Sequence, residues 1–216
     1  MPEPLVLAFD TSAAHCAAAL LSGDRVLESR HQDMAKGQAE HLFPLLEQML
    51  AGAGKGWADL DVIGVGIGPG NFTGVRISVA AARGLALSLG VPVVGVTTLE
   101  ALRHGLPGTV MASADARQDR LYVQLFDGAG TPPVLCDLDS LPILPARAEP
   151  LCVGHHADRI AAACGGQVAA PVFALPVAIA RIAAARRDNP GPPPAPLYLR
   201  PADAAPARDS GPVILT

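Results

Sequence analysis

Residues 4–30 read PLVLAFDTSAAHCAAALLSGDRVLESR. The pattern predicts an apolar strand through Phe9, a tight turn at Asp10-Thr11-Ser12, a second strand, a Gly-Asp turn and a third strand. The same plan returns at residues 108–130, GTVMASADARQDRLYVQLFDGAG, where an apolar strand ends at Asp115, a polar turn follows, and LYVQLF leads to an Asp-Gly turn. Thirteen positions separate Asp10 from Gly23, and thirteen separate Asp115 from Gly128. The recurrence predicts two copies of one supersecondary unit.

The segments between these openings suit an α/β layer. In QAEHLFPLLEQML, Leu42, Leu45, Leu46 and Met49 form one helical stripe, with Pro44 either in the first turn or kinking the helix. LDVIGVGIG reads as a buried strand, FTGVRISVAAARGLALSLG as a helix rich in Ala and Gly, and VPVVGV as a short strand. Strands alternating with helices imply helix-covered sheets. A helix begun at Thr98 breaks at HGLPG, residues 104–108, which divides the chain into an N-terminal domain, 1–105, and a smaller second domain, 106–216. Beyond Asp188 stand eight prolines, so this tail is expected to be extended, with Leu197–Arg200, LYLR, as its packable knot.

With 216 residues and half of them hydrophobic, the chain can bury a real core. No stretch reaches the ~18 uninterrupted apolar residues of a membrane span, and the N-terminus lacks a signal pattern, so a cytoplasmic protein with no membrane partner is expected. A net charge of −4 argues against gripping a phosphate backbone alone; any RNA would have to be held through a partner. The basic cluster Arg181, Arg186 and Arg187 ends an Ala-rich helical pattern, where cations complement the helix dipole. Cys16, Cys136, Cys152 and Cys164 lack C-x-x-C spacing and read as buried thiols.

The stretch Gly66 to Gly74, GIGPGNFTG, lacks the Lys-Ser/Thr of a P-loop and does not fit G-x-G-x-x-G. Its glycines allow backbone to come close to a ligand or another chain, and Asn71 or Thr73 can cap the following helix. A tight strand-to-helix turn that binds nothing is the alternative. On that helix Val75, Val79, Ala82, Ala86 and Leu89 share a stripe, while Ile77, Ala80, Ala81, Gly84 and Leu85 make most of the remainder apolar or small. Such a helix needs cover on both sides, from its own sheet and from either a neighbouring helix or a second subunit. Arg76 and Arg83 share a rim that could pair with carboxylates across an interface. His155 and His156, if on a strand, point to opposite faces, and neither Ser12, Ser78 and Ser113 nor any Cys stands in a nucleophile motif. No catalytic or metal-binding residues are assigned.

Taken together, LAFDTS, AEHLFPLLEQML, GIGPGNFTGVRIS, GVPVVGVTTLEAL, ADARQDRLYVQLF and LYLR, in that order over most of the chain, resemble the TsaB/YeaZ family of bacterial tRNA threonylcarbamoyladenosine biosynthesis proteins. GPG-x-FTG-x-RI is the pattern specific to that family; Asn71 within it and Ser78 just after it stand where Ser and Gly are usual. The resemblance implies an α/β actin-like, sugar-kinase-like fold: a duplicated ribonuclease-H-like plan with the second domain reduced. It implies an accessory, non-catalytic subunit of the tRNA threonylcarbamoyladenosine (t6A) complex, partnered by the catalytic subunit TsaD and the ATPase TsaE, and a homodimer when alone. TsaD carries two metal-binding histidines in a segment like VPVVGVTTLEAL; here those positions hold Thr98 and Leu102, which cannot replace two imidazoles. The expected partner interface is Thr73, Val75, Arg76, Val79, Ala82, Arg83 and Ala86. A nucleotide-sensing reading places ATP or ADP with Mg at a complex interface, on Asp10, Thr11, Ser12, Gly68, Gly70 and Asp115. The rival reading is an enzyme, either a metal-dependent glycoprotease-like peptidase or an ATP-dependent phosphotransferase of this fold.

Overall fold

The strand Leu5–Asp10 (β1) is buried at all six positions because it runs in the middle of a sheet. It pairs antiparallel with His15–Ser22 (β2), which pairs with the edge strand Arg25–Asp33 (β3); on its other side it pairs parallel with Val62–Gly66 (β4), which pairs with Val93–Val96 (β5). The order is β3-β2-β1-β4-β5. A strand covered on both faces has no polar side to alternate with, which is why LVLAF reads as a continuous apolar run. The structure, a computed structural model, describes residues 3–200 except Ala129 and Arg147.

The second sheet repeats the first. Val110–Asp115 (β6) pairs antiparallel with Leu121–Phe126 (β7), which pairs with Val134–Cys136 (β8); β6 pairs parallel with Leu151–Gly154 (β9), and β9 with Gln167–Val168 (β10). The order β8-β7-β6-β9-β10 matches the first sheet strand for strand, with Asp115 ending β6 where Asp10 ends β1. The connection that carries helix Gln38–Gly52 (α1) in the first unit is residues 137–150 in the second, with neither helix nor strand among its described residues. Here lies the reduction. This duplicated plan is the actin-like α/β fold.

Helices cover both faces of the first sheet. On one face α1 and Phe72–Leu89 (α2) bury Leu42, Leu46, Met49 and Ala82 against Leu7, Phe9, Leu20 and Ile63. Each fully buried Leu or Ile contributes about 1.5–3 kcal/mol relative to exposure. Pro44 lies within α1, past its first turn, and the helix continues through it. On the opposite face Leu175–Ala185 (α5) packs Ile179, Ala180 and Ala183 on Val6, Ala8, Val62 and Val94. The second sheet is covered by Ala157–Cys164 (α4) on one face and by Thr98–Arg103 (α3) on the other, where Leu99 meets Val110, Ala112 and Val153.

A division at residues 105 and 106 therefore does not describe the packing. The helix after β5, α3, crosses to the second sheet, and the helix after β10, α5, returns to the first. Each unit donates its last helix to the other, so the halves share their cores. The residues of the second half beyond Arg200 lie outside the described ones.

Arg181 differs from expectation, whereas Arg186 stands at the C-cap of α5 as expected. Arg181 sits inside α5 rather than in its last turn; it donates to Asp24 Oδ1 at 2.7 Å and to the Asp24 carbonyl at 2.8 Å, and lies 4.6 Å from the Phe173 ring centroid. Arg186 pairs with Glu100 of α3. Both guanidiniums thus meet specific carboxylates on neighbouring elements.

Candidate functional site

The polar turn after β1 is folded around one carboxylate. Asp10 has no exposed surface; its Oδ1 accepts the Ser12 N–H at 3.0 Å and the Ser12 hydroxyl at 2.8 Å, and lies 2.7 Å from His15 Nε2. Its Oδ2 is buried against Gly66 and has no hydrogen-bond partner among the described residues. Thr11, equally buried, donates its hydroxyl to the Gly74 carbonyl at 2.7 Å.

This turn is what the glycine stretch holds. The Asn71 N–H donates to the Ser12 carbonyl at 2.5 Å. A Cβ on Gly70 would collide with that same carbonyl, and one on Gly74 with the carbonyl of Thr11. Side chains are excluded because two backbones touch, and the occupant is the chain's own β1–β2 turn. Asn71 Oδ1 accepts the N–H groups of Thr73 and Gly74 at 3.0 and 3.1 Å, filling the start of α2 with its own cap. The Gly68 carbonyl accepts the Thr98 N–H at 2.8 Å, and the Ile67 carbonyl that of Leu197 at 2.8 Å.

Between the two units lies a cleft of about 590 Å³. Ser12, His15, Gly70 and Asn71 line it from the first unit, Asp115, Arg117 and Tyr122 from the second, and Leu197–Arg200 enters it. Of the residues expected to hold a nucleotide, Ser12, Gly70 and Asp115 reach this cleft; Asp10 and Thr11 lie sealed behind it, and Gly68 is engaged with Thr98. The arrangement does not fit a nucleotide with its magnesium. One carboxylate is saturated on Oδ1 and blocked on Oδ2, and the helix N–H groups that would meet phosphate are capped by Asn71.

His155 and His156 follow β9 in a turn rather than on a strand, so their rings lie together, centroids 4.0 Å apart, with His155 Nε2 3.8 Å from Asp115 Oδ1. Among the described residues no three His, Cys, Asp or Glu side chains gather as a metal-binding set. Burial, aided by the Asp10 charge, pushes the Cys16 thiol up to about 11. Burial and the Cys164 sulfur, 3.8 Å away, push Cys152 up to about 12. Thiols so shifted stay protonated near neutrality.

The expected interface needs correction. Val75, Val79, Ala82 and Ala86 are 1%, 4%, 0% and 9% exposed, because this is the stripe α2 lays on its own sheet. Thr73, Arg76 and Arg83 do face outward, and they share that face with Ala80, Gly84 and Leu87. Leu87 is 88% exposed. Periodicity alone finds two apolar stripes on α2; only the sheet decides which is inside. By length and composition α2 could also cross a membrane, yet one stripe of it is core against its own sheet and it carries two arginines.

Residues 31–131 match the model of a family described as TsaD, tRNA N6-adenosine threonylcarbamoyltransferase. The chain is 32% identical over 122 residues to the tRNA threonylcarbamoyladenosine biosynthesis protein TsaB of Escherichia coli, a match over 54% of this chain and about half, 52%, of that protein. It is 35% identical over 208 residues to an uncharacterized protein of Mycobacterium tuberculosis, covering 93% and 94% of the two chains. The structure of YeaZ from Pseudomonas aeruginosa superposes with a TM-score of 0.70 at 26% identity, over 91% of this chain and 100% of that one.

Duplicated sheets with exchanged last helices and a cleft between them define an actin-like α/β protein. Within that class, the chain belongs to the TsaB/YeaZ family.

Proposed function

We propose that this chain is an accessory, non-catalytic subunit of the bacterial machinery that makes threonylcarbamoyladenosine in tRNA, docking on TsaD through the outward face of α2 and working with TsaE in the cytoplasm. The observation that carries the reading is that face itself. Ala80 and Gly84, one turn apart, let a partner helix approach closely, Leu87 offers an unburied apolar anchor, and Arg76 and Arg83 flank them with charge. In the absence of TsaD the same face would pair two copies. The acidic chain reaches tRNA through the complex.

The docking role is supported further by what stands at the positions where the resemblance to TsaD places two histidines. The Thr98 hydroxyl donates to the Pro69 carbonyl at 3.4 Å, and Leu102 packs in the core of the second sheet. Both are structural uses of those positions.

The test is co-purification with TsaD. Gly84→Glu and Ala80→Glu place a charge on the outward face without touching the core, and each should weaken the complex at least tenfold, ~1.4 kcal/mol, while the free chain stays folded, with the Gly84→Glu variant melting no lower than the parent. A complex of undiminished affinity in both variants overturns the assignment of this face. Reconstituted modification of tRNA that proceeds equally well without the chain overturns the role.

A further inference from the structure

The segment after α5 is not a passive tail. Pro194 is buried, its Cβ facing Gly95 of β5. The Leu197 N–H donates to the Ile67 carbonyl at 2.8 Å, and the Tyr198 ring stacks on Phe72 with centroids 4.8 Å apart and planes 28° apart. Those contacts are all with the first unit. The next two residues turn to the second: Leu199 packs with Leu99, Ala116 and Tyr122, and Arg200 donates to the Ala116 carbonyl at 3.4 Å and to Gln118 Oε1 at 3.1 Å.

The geometry points to Leu197–Arg200 as a latch that ties the two units together across the mouth of their cleft and sets how far it opens. It engages both rims. On one rim it meets Ile67 and Phe72, within the glycine stretch and the first residue of α2. On the other it meets the β6–β7 turn, where Arg117, Gln118 and Asp119 stand consecutively at φ 59, 54 and 57°. L-residues persist in that conformation only where the surroundings hold them. Arg200 binds the residue before this run and the residue in its middle.

Sequence favours such a latch. Five prolines, Pro190, Pro192, Pro193, Pro194 and Pro196, stiffen the lead from the end of α5, so little chain entropy is lost when the latch seats. The four residues then divide their labour by type: a backbone N–H, an aromatic face, an apolar side chain and a guanidinium, two for each unit. Anything entering the cleft from this side must displace Tyr198 and Arg200. This inference stands apart from docking on α2, because it concerns motion within the isolated chain.

Hydrogen exchange on the full chain tests it. In Tyr198→Ala/Arg200→Ala, amides at residues 67–73 and 116–120 should exchange at least tenfold faster, together, while those of α1 keep their rates. Tyr198→Phe, which keeps the stacked ring, should match the parent at residues 67–73. The latch is overturned by unchanged rates at either rim, or by an acceleration in α1 as large as at the rims, which would mark general loosening.

Discussion

The Nε2 of His15 lies 2.7 Å from Oδ1 of Asp10, and that one oxygen also accepts both the N–H and the hydroxyl of Ser12. A strand-end aspartate in this fold invites a reading as a ligand for metal or phosphate. Its bonds instead run back into its own turn. Asp10 shapes the platform against which Gly70 and Gly74 pack, and so positions α2.

Asp10→Ala should accordingly destabilise the free chain. It strands the buried Ser12 N–H and the His15 ring, and each buried polar group left without a partner costs about 1–3 kcal/mol. We expect a loss of about 2–4 kcal/mol in urea unfolding with no ligand present, since removing one member of a buried pair costs about 3–5 kcal/mol when both were fully charged. A loss under about 0.5 kcal/mol, the range of ordinary surface changes, would mean that the turn does not depend on this carboxylate.

Two glycines of α2 should respond in opposite directions to the same methyl group. At Gly74 a Cβ meets the Thr11 carbonyl, and because that atom is backbone the strain cannot be relieved by a rotamer change. Gly74→Ala should cost about 2–3 kcal/mol, as overpacking does. At Gly84 nothing lies within 4 Å, the residue is exposed, and the helix continues on both sides. Gly84→Ala should stabilise by about 0.5–1 kcal/mol. Thermal melts of the pair decide it; equal shifts would show that the glycine stretch is not pressed against the β1–β2 turn.

Much of this architecture is legible along the chain because local patterns carry it. The Asp10 and Asp115 spacings gave the duplication, and the stripe of Leu42, Leu45, Leu46 and Met49 gave the buried face of α1. What stayed hidden depends on which distant element arrives. No period along α2 says that Val75 and Val79 meet the sheet while Ala80 and Gly84 do not, for both stripes are small or apolar. The exchange of α3 and α5 is invisible for the same reason: each helix carries apolar residues that would suit either sheet. Phe72 and Tyr198 stand far apart in sequence, and nothing local announces a stacked pair. His15, five residues after Asp10, escaped notice because the turn between them brings the two side chains together in a way that neither helical nor strand periodicity encodes.

A last consequence concerns pH. His104 follows α3 beside Phe173, ring centroids 5.6 Å apart, and its pKa is held below the ordinary value of about 6.5 first by burial, then by the positive charges of Arg181 and Arg103 and, behind the opposing pull of Glu100, of Arg186. The folded chain therefore resists a proton that the unfolded chain takes up. Between the lowered folded pKa and about 6.5 the unfolded state binds more protons, and stability rises with pH in that window. The penalty is absent above it, grows as pH falls through about 6.5, and is complete below the folded pKa. His104→Gln removes the titrating group, so the urea midpoint of the variant should fall less than that of the parent between pH 7.5 and pH 5. Identical slopes in the two proteins would show that protonation of His104 is not opposed by the cations around it.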